Sequence, residues 1–566
     1  MASWKSYRVA DVITDIDEEK YVLPVIQREL VWTEDKMELL FDSLLKGNSF
    51  GGVIVIEENK DSSPLFAARP FTKDGNPLPS QNREKLPQTQ YFVIDGQQRL
   101  QSFYIGLKGS FGGKSLCFDL FSDFKNDYDF RFAKEVKDLP NTTKDERPIS
   151  ECLWYYVKDL MRELKETGDE EQISENIIEK YSITDSEKKN HINKNVKAFF
   201  KNIFSIEAIG VARVTVNKSL PEIENRQKIV ELFERLNDGG TKLSALDLVA
   251  SKMKGFDYRM ESFLREMEDL FKDISLSPEN LIKLIFLLQD NYTKEMVSVD
   301  ASDANLAVGN QNRIRNTLKA VRVFLENAKV YEYYKDSTKQ RSFIPLFFIA
   351  YHIFHKRISD DEILNFWNNW ETGNADFKPM KNWLFHSLLN GVFKSKGAGW
   401  IPYKTGIRKL LVVIKEYKGN LFPYETLLSV YKNHPLVFTT QYASDNLDSL
   451  DKDFLFYLLY DCKRVSRAND IDHIMPKSIL KEKNYDDSVI NSVRNFQLLD
   501  YGTNRGEKNA KPFAQWVNTP EYVKDKTLYV ETHLIPSDEK IWSEDKFIDF
   551  CDKRSELILD KINSYF

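Results

Sequence analysis

The sequence predicts an α+β protein of several domains, and three observations carry that prediction. The first 130 residues alternate β-branched runs with amphipathic helical stretches. The span from about 255 to 440 is aromatic-rich at helical spacing. Near the end, strand, loop, strand and short helix follow one another between residues 470 and 508. A length of 566 residues suits roughly three or four domains of ~150 residues. We expect domains at 1–254, with a helical insertion or lid at about 150–205, then 255–440 and 441–566.

In chain order, Met37 to Leu45 places Met37, Leu40, Phe41, Leu44 and Leu45 on one helical face, and Lys46-Gly47-Asn48 stops it. Val53-Ile54-Val55-Ile56 after Gly51-Gly52 predicts a strand. Glu58 to Gln90 holds five prolines (Pro64, Pro70, Pro77, Pro79, Pro87) and reads as a long functional loop. Tyr91–Ile94 predicts the next strand and Leu100–Leu107 a helix. Gly210 to Val216 predicts a strand returning to the sheet. A helix over Ile223–Leu236 follows, stopped by Asn237-Asp238-Gly239-Gly240. Ser244 and Asp247 form a variant capping box for a further helix through Met253.

Composition narrows the setting. Hydrophobic residues are 42% and aromatics 13%, enough for packed cores. The four cysteines are scattered, with no CxxC pair, which argues against a zinc framework and suits a reduced compartment. The start lacks an apolar signal segment, and the longest apolar run, Phe343–Phe354, is short and contains Pro345. The expectation is a cytoplasmic protein with no membrane partner. Net charge is −6, so a nucleic-acid contact needs a local basic surface. Between Cys462 and Lys511 stand ten Lys/Arg against seven Asp/Glu, a local excess of three positive charges.

Asp472-His473-Ile474-Met475-Pro476, Asn495, Asn504 and Lys508 have the residue types for phosphodiester hydrolysis. A neutral imidazole is a suitable base near pH 7. A carboxylate and an amide oxygen suit a hydrated Mg²⁺. Adjacent strand residues face opposite ways, so Asp472 and His473 share a site only across a bend or a straddled phosphate.

These residues resemble the HNH endonuclease motif in its ββα layout. The resemblance implies His473 as general base, Asp472 and Asn504 as ligands of Mg²⁺ (or Mn²⁺), Asn495 as support of the histidine-bearing loop, and Lys508 as a phosphate contact.

Asp95-Gly96-Gln97-Gln98-Arg99 lies between a predicted strand and helix, where free backbone N–H groups favour an anion. Gly96 lets a phosphate approach and Arg99 can grip it. No GxxxxGK[ST] is present. This run resembles the DGQQR motif of ParB/sulfiredoxin-like domains, which form the N-terminal half of GmrSD-type modification-dependent restriction endonucleases. Pro24-Val25-Ile26-Gln27-Arg28 with Trp32, and Phe233-Glu234-Arg235-Leu236-Asn237 through Gly239-Gly240-Thr241, Leu243 and Ser244, are similar to that family's other elements. The resemblance implies nucleoside triphosphate binding or hydrolysis at Gln27, Arg28, Asp95, Gly96, Gln97, Gln98 and Arg99. It also implies cleavage or nicking of double-stranded, modified phage DNA in antiviral defence, and it leaves room for a homo-oligomer. Two other readings stay open: a nucleotide-sensing DNA-binding regulator with a degenerate nuclease tail, and an RNA-directed toxin.

Overall fold

The computed structural model describes residues 3–48, 51–123, 125, 127–139, 148, 151–217, 219–238, 245–274, 276–291, 299–335, 341–368, 373–394, 406–432, 439–462, 469–500, 503, 508 and 510–566. It divides into two compact units, Met1–Arg265 with Lys294–Gly309, and Glu266–Thr293 with Asn310–Phe566. The helical middle and the C-terminal segment therefore fall largely in one unit.

The first unit runs β1 (Ser3–Tyr7), α1 (Val9–Asp17), β2 (Tyr21–Pro24), α2 (Glu34–Leu45), β3 (Val53–Glu58), β4 (Ala68–Pro70), β5 (Gln90–Asp95) and α3 (Gln97–Lys108). It continues with β6 (Ser115–Asp119), β7 (Phe130–Ala133), β8 (Trp154–Tyr156), α4 (Val157–Thr167), α5 (Glu170–Lys180), α6 (Ser186–Phe200), β9 (Ile209–Val214), α7 (Glu222–Asp238) and α8 (Ala245–Phe256). A mixed six-stranded sheet has the order β1-β9-β3-β5-β2-β4, and a smaller antiparallel sheet has the order β7-β6-β8. β5 shows the period of two that builds both layers. Val93 joins the core beneath α1–α6, while Phe92 and Ile94 face Ile229, Val230 and Phe233 of α7.

Two expectations change in detail. The 150–205 segment was expected as an insertion or lid, but Leu160, Met161, Leu164, Ile177, Val196 and Phe199 are buried in the same core as Val55 and Val93. Its charged residues cover only the outer faces of α4–α6. The proline-rich stretch after β3 holds the edge strand β4, where Pro70 is tolerated because an edge residue can forgo its N–H bond. Gly239 to Ser244, the expected stop and cap, lie outside the described residues.

The second unit is mainly helical. Pro345 begins the helix Ile344–Phe354 rather than interrupting it, because the first turn needs no donor at that position. No helix among the described residues is long and apolar enough to cross a membrane. Near the end, β10 (Asn469–His473) and β11 (Phe496–Asp500) form an antiparallel ribbon. Beside it lies a core of Ile474, Met475, Leu480, Ile490, Phe513, Trp516, Trp542 and Phe550. The run Val493-Arg494-Asn495-Phe496-Gln497-Leu498-Leu499 has strand-like composition throughout. Instead Val493–Asn495 is a tight 3₁₀ turn and β11 starts at Phe496, because the Asn495 side chain is turned inward to bond the neighbouring loop.

Candidate active site

β10 ends on the two residues singled out for hydrolysis. Register pairs Asp472 with Gln497 and His473 with Phe496, so the two side chains project from opposite faces of the ribbon. On one face, Gln497 Nε2 donates to Asp472 Oδ2 at 2.9 Å. Tyr529 donates its hydroxyl to Gln497 Oε1 at 2.6 Å and so fixes that amide's orientation. Lys508 Nζ lies 2.7 Å from the same Asp472 oxygen and also donates to the His473 carbonyl. Lys508 is fully buried. Burial lowers its pKa, and the Asp472 charge opposes that shift.

On the other face, the half-buried His473 ring meets Phe496 edge-on at 4.8 Å. Its Nε2 is 3.1 Å from Asn491 Oδ1. Asn491 Nδ2 donates to the Asp487 carbonyl at 2.7 Å, which turns Oδ1 toward the imidazole. An amide oxygen only accepts, so Nε2 carries the proton and Nδ1 keeps its lone pair. Burial lowers the His473 pKa against the opposing pull of Asn491 and Asp472, which favours the neutral base.

Asn495 is fully buried and ties this turn together. Met475 N donates to Asn495 Oδ1 at 2.9 Å, and Asn495 Nδ2 donates to the carbonyls of Ile490 and Met475 at 3.1 and 3.2 Å. Behind it, the buried Arg554 guanidinium donates to the carbonyls of Val493, Arg494 and His533 at 3.0, 2.7 and 3.0 Å. Burial among carbonyls pulls the Arg554 pKa down to about 10.

The structure thus brings Asp472 to Lys508 and sets Asn495 under the His473 loop. Asn504 lies outside the described residues, as does most of the short helix expected to carry it. Among the described residues, no group of three or more His, Cys, Asp or Glu side chains could hold a metal ion. Mg²⁺ keeps several waters and needs only one or two carboxylates, so Asp472 suits it by chemistry. The Lys508 ammonium already neutralises that carboxylate, and a cation bound at Asp472 Oδ2 would have to displace it.

In the first unit, Gly96 at φ +87° opens α3, and no side chain caps the helix start. Arg99 Nη2 reaches back 3.3 Å to Asp95 Oδ2. The Gly51-Gly52 turn before β3 closes over this pair. A Cβ on Gly51 would stand 2.2 Å from Arg99 Nη1, and one on Gly96 would stand 2.9 Å from Val53 Cγ2. Glycine at both positions is what lets the backbone pack this closely against Arg99 and Val53.

The glutamines of the motif are committed to backbone. Gln97 Nε2 donates to Arg28 O at 2.6 Å, Gln98 Nε2 to Glu29 O at 3.1 Å, and Gln27 Nε2 to Val93 O at 2.9 Å. Gln98 Oε1 also accepts from Val31 N at 2.9 Å. They hold the segment 27–31 against the start of α3, leaving Asp95 and Arg99 as the motif side chains whose charges face the turn.

Sequence reasoning missed Asn491, Gln497, Tyr529 and Gly51-Gly52 as parts of these sites. The glycine pair was visible as a strand boundary. The other three carry no local signal.

Residues 9–254 match the family model described as GmrSD restriction endonuclease, N-terminal domain. An uncharacterized protein of Methanocaldococcus jannaschii is 24% identical to this chain over 619 aligned residues, spanning 98% of this chain and 97% of that protein. The glycine turn, Asp95 and Arg99 all fall inside the matched span, so the front half of this chain is similar to the N-terminal domain of a restriction endonuclease.

Proposed function

We propose that this protein is a nucleotide-regulated, metal-dependent DNA endonuclease or nickase that acts in defence against phage or foreign, modified DNA. The observation that carries the nuclease half is the fixed neutral tautomer of His473. Asn491 holds its protonated nitrogen, Asn495 staples its loop, and burial keeps the ring neutral. Nδ1 is then free to take a proton from water in line with a scissile phosphate. Asp472 and Asn504 would hold Mg²⁺ or Mn²⁺, which supplies positive charge where the leaving oxygen becomes negative. Lys508 sits behind Asp472 and braces the His473 carbonyl.

The regulatory half rests on the uncapped start of α3 beside Gly51, Gly52 and Gly96. Asp95 and Arg99 would orient a nucleoside triphosphate there, with Gln27, Arg28, Gln97 and Gln98 shaping the turn around it. The match of residues 9–254 to a restriction-endonuclease N-terminal domain supports a nuclease function in defence.

One observation favours a second reading. The Asp472–Lys508 pair leaves the carboxylate neutralised without any metal, as a nucleotide-sensing DNA-binding regulator with an inactive nuclease tail would have it. A plasmid assay separates the two, with Mg²⁺, Mn²⁺ or EDTA, with and without nucleoside triphosphates, on unmodified and modified DNA. The nuclease reading expects metal-dependent nicks or breaks that His473→Ala abolishes while the fold is kept. Intact plasmid under every condition, or wild-type cleavage by His473→Ala, would overturn it.

A further inference from the structure

A cleft of about 240 Å³ opens in the first unit, between the residues before β4 and the turn that ends α8. Its walls include Phe66, Phe256 and Tyr258, and its polar lining includes Arg226, Lys254 and Arg259. None of these belongs to the turn at Gly51, Gly96 and Arg99.

Its cationic side chains are unevenly partnered. Arg259 closes on Asp257, with Nε 3.0 and 3.1 Å from the two carboxylate oxygens. Arg226 pairs with Glu222 through Nη2 and donates from Nη1 to the Phe256 carbonyl at 3.3 Å. The Nε of Arg226 is buried without a hydrogen-bond partner. The Lys254 ammonium makes no hydrogen bond among the described residues; burial lowers its pKa, and the Glu261 carboxylate opposes that shift. A Cβ on Gly255 would come within 2.7 Å of Ile26 Cγ2, so glycine lets this turn pack closely on Ile26.

A lysine in the last turn of a helix can serve only to offset the helix dipole. That role asks for an ammonium facing water, not one lining a cleft beside an unsatisfied guanidinium N–H. A lysine with no hydrogen-bond partner and an unfilled guanidinium donor together call for an anion. Aromatic walls on the same cleft call for a flat ring. The volume is below the ~300–1,000 Å³ of pockets for drug-sized ligands, which suits one nucleotide unit.

We infer that this cleft is a binding site for a single nucleoside monophosphate unit, its phosphate on Lys254 and Arg226 Nε and its base against the aromatic wall. The unit comes either free or as one nucleotide of a DNA strand. The site is separate from the triphosphate site proposed at Asp95 and Arg99, and its occupancy does not depend on the nuclease reading.

Titration calorimetry on the full chain tests this with inorganic phosphate, dCMP, dGMP and a short single-stranded oligodeoxynucleotide. Wild-type protein is expected to bind a monophosphate more tightly than inorganic phosphate. Lys254→Met should weaken that binding at least about tenfold, the loss of one charge-assisted contact worth ~1.4 kcal/mol or more. Tyr258→Ala should weaken the monophosphates but not phosphate. Tighter binding of the oligonucleotide than of dCMP or dGMP assigns the site to a DNA strand, and the reverse assigns it to free nucleotide. If Lys254→Met does not fold, Lys254→Arg, which keeps the charge, and Tyr258→Ala carry the comparison. No binding of any probe to wild type overturns the inference, as does wild-type affinity in Lys254→Met or, where that variant does not fold, in Tyr258→Ala.

Discussion

The ammonium of Lys508 and the carboxylate of Asp472 form a fully buried ion pair at 2.7 Å, with Gln497 donating to the same oxygen. A buried pair broken on one side leaves a charge with no compensation, whereas removing both partners does not. Lys508→Met alone should therefore lower stability by about 3–5 kcal/mol. The double variant Asp472→Asn/Lys508→Met should lose less than Lys508→Met. Urea unfolding of wild type, Asp472→Asn, Lys508→Met and the double variant checks this, and strictly additive losses would refute the coupling.

Asn495→Ala removes three hydrogen bonds from a site with no access to water. Stranding Met475 N and the two carbonyls should cost about 2–3 kcal/mol, since each buried group left unmade costs ~1–3 kcal/mol and the losses are not additive. Thermal unfolding should show it. Asn495→Asp keeps the acceptor for Met475 N but sets a carboxylate oxygen against the carbonyls of Ile490 and Met475, so it should lose at least as much at neutral pH and less as pH falls and the carboxyl protonates.

The Arg554 guanidinium clamps the Val493–Asn495 turn through carbonyls alone. Replacement by Met fills the volume but strands those carbonyls, for a predicted loss of about 3 kcal/mol or more. Arg554→Lys should recover only part of this, because an ammonium cannot span the fork of acceptors. Chemical denaturation of both variants decides the point.

Two buried histidines make stability depend on pH. Burial lowers the pKa of His386 to about 4 and of His533 to about 3. In the unfolded chain each titrates near ~6.5, so below that pH the unfolded state takes up protons that the folded state does not. Their contribution is complete above about pH 6.5 and is lost as pH falls toward the folded values. At pH 5.5 the loss is about 1.4 kcal/mol for each. His386→Asn should flatten the stability curve between pH 7 and 5, and an unchanged slope would contradict the assignment.

Much of the scaffold was legible because it is encoded locally. The alternation through Tyr91–Ile94 gave β5, and the helical spacing of Met37, Leu40, Phe41 and Leu44 gave α2. The order of Asp472, His473, Asn495 and Lys508 marked the catalytic candidate before any contact was known. The extent of β11 was not legible, because Val493-Arg494-Asn495 has strand-like residues but obeys a side-chain bond to Met475, made across the loop.

The chain's own order therefore determined which residues could do chemistry and which segments could form strands and helices, since both follow from residue type and short-range periodicity. Only the folded structure decided how those residues are engaged. It turned Asp472 toward Lys508 and away from the His473 ring, chose Asn491 as that ring's partner, and laid Gly51 over Arg99. These pairings join positions distant along the chain, and burial and hydrogen-bond geometry act between them only once the layers have packed.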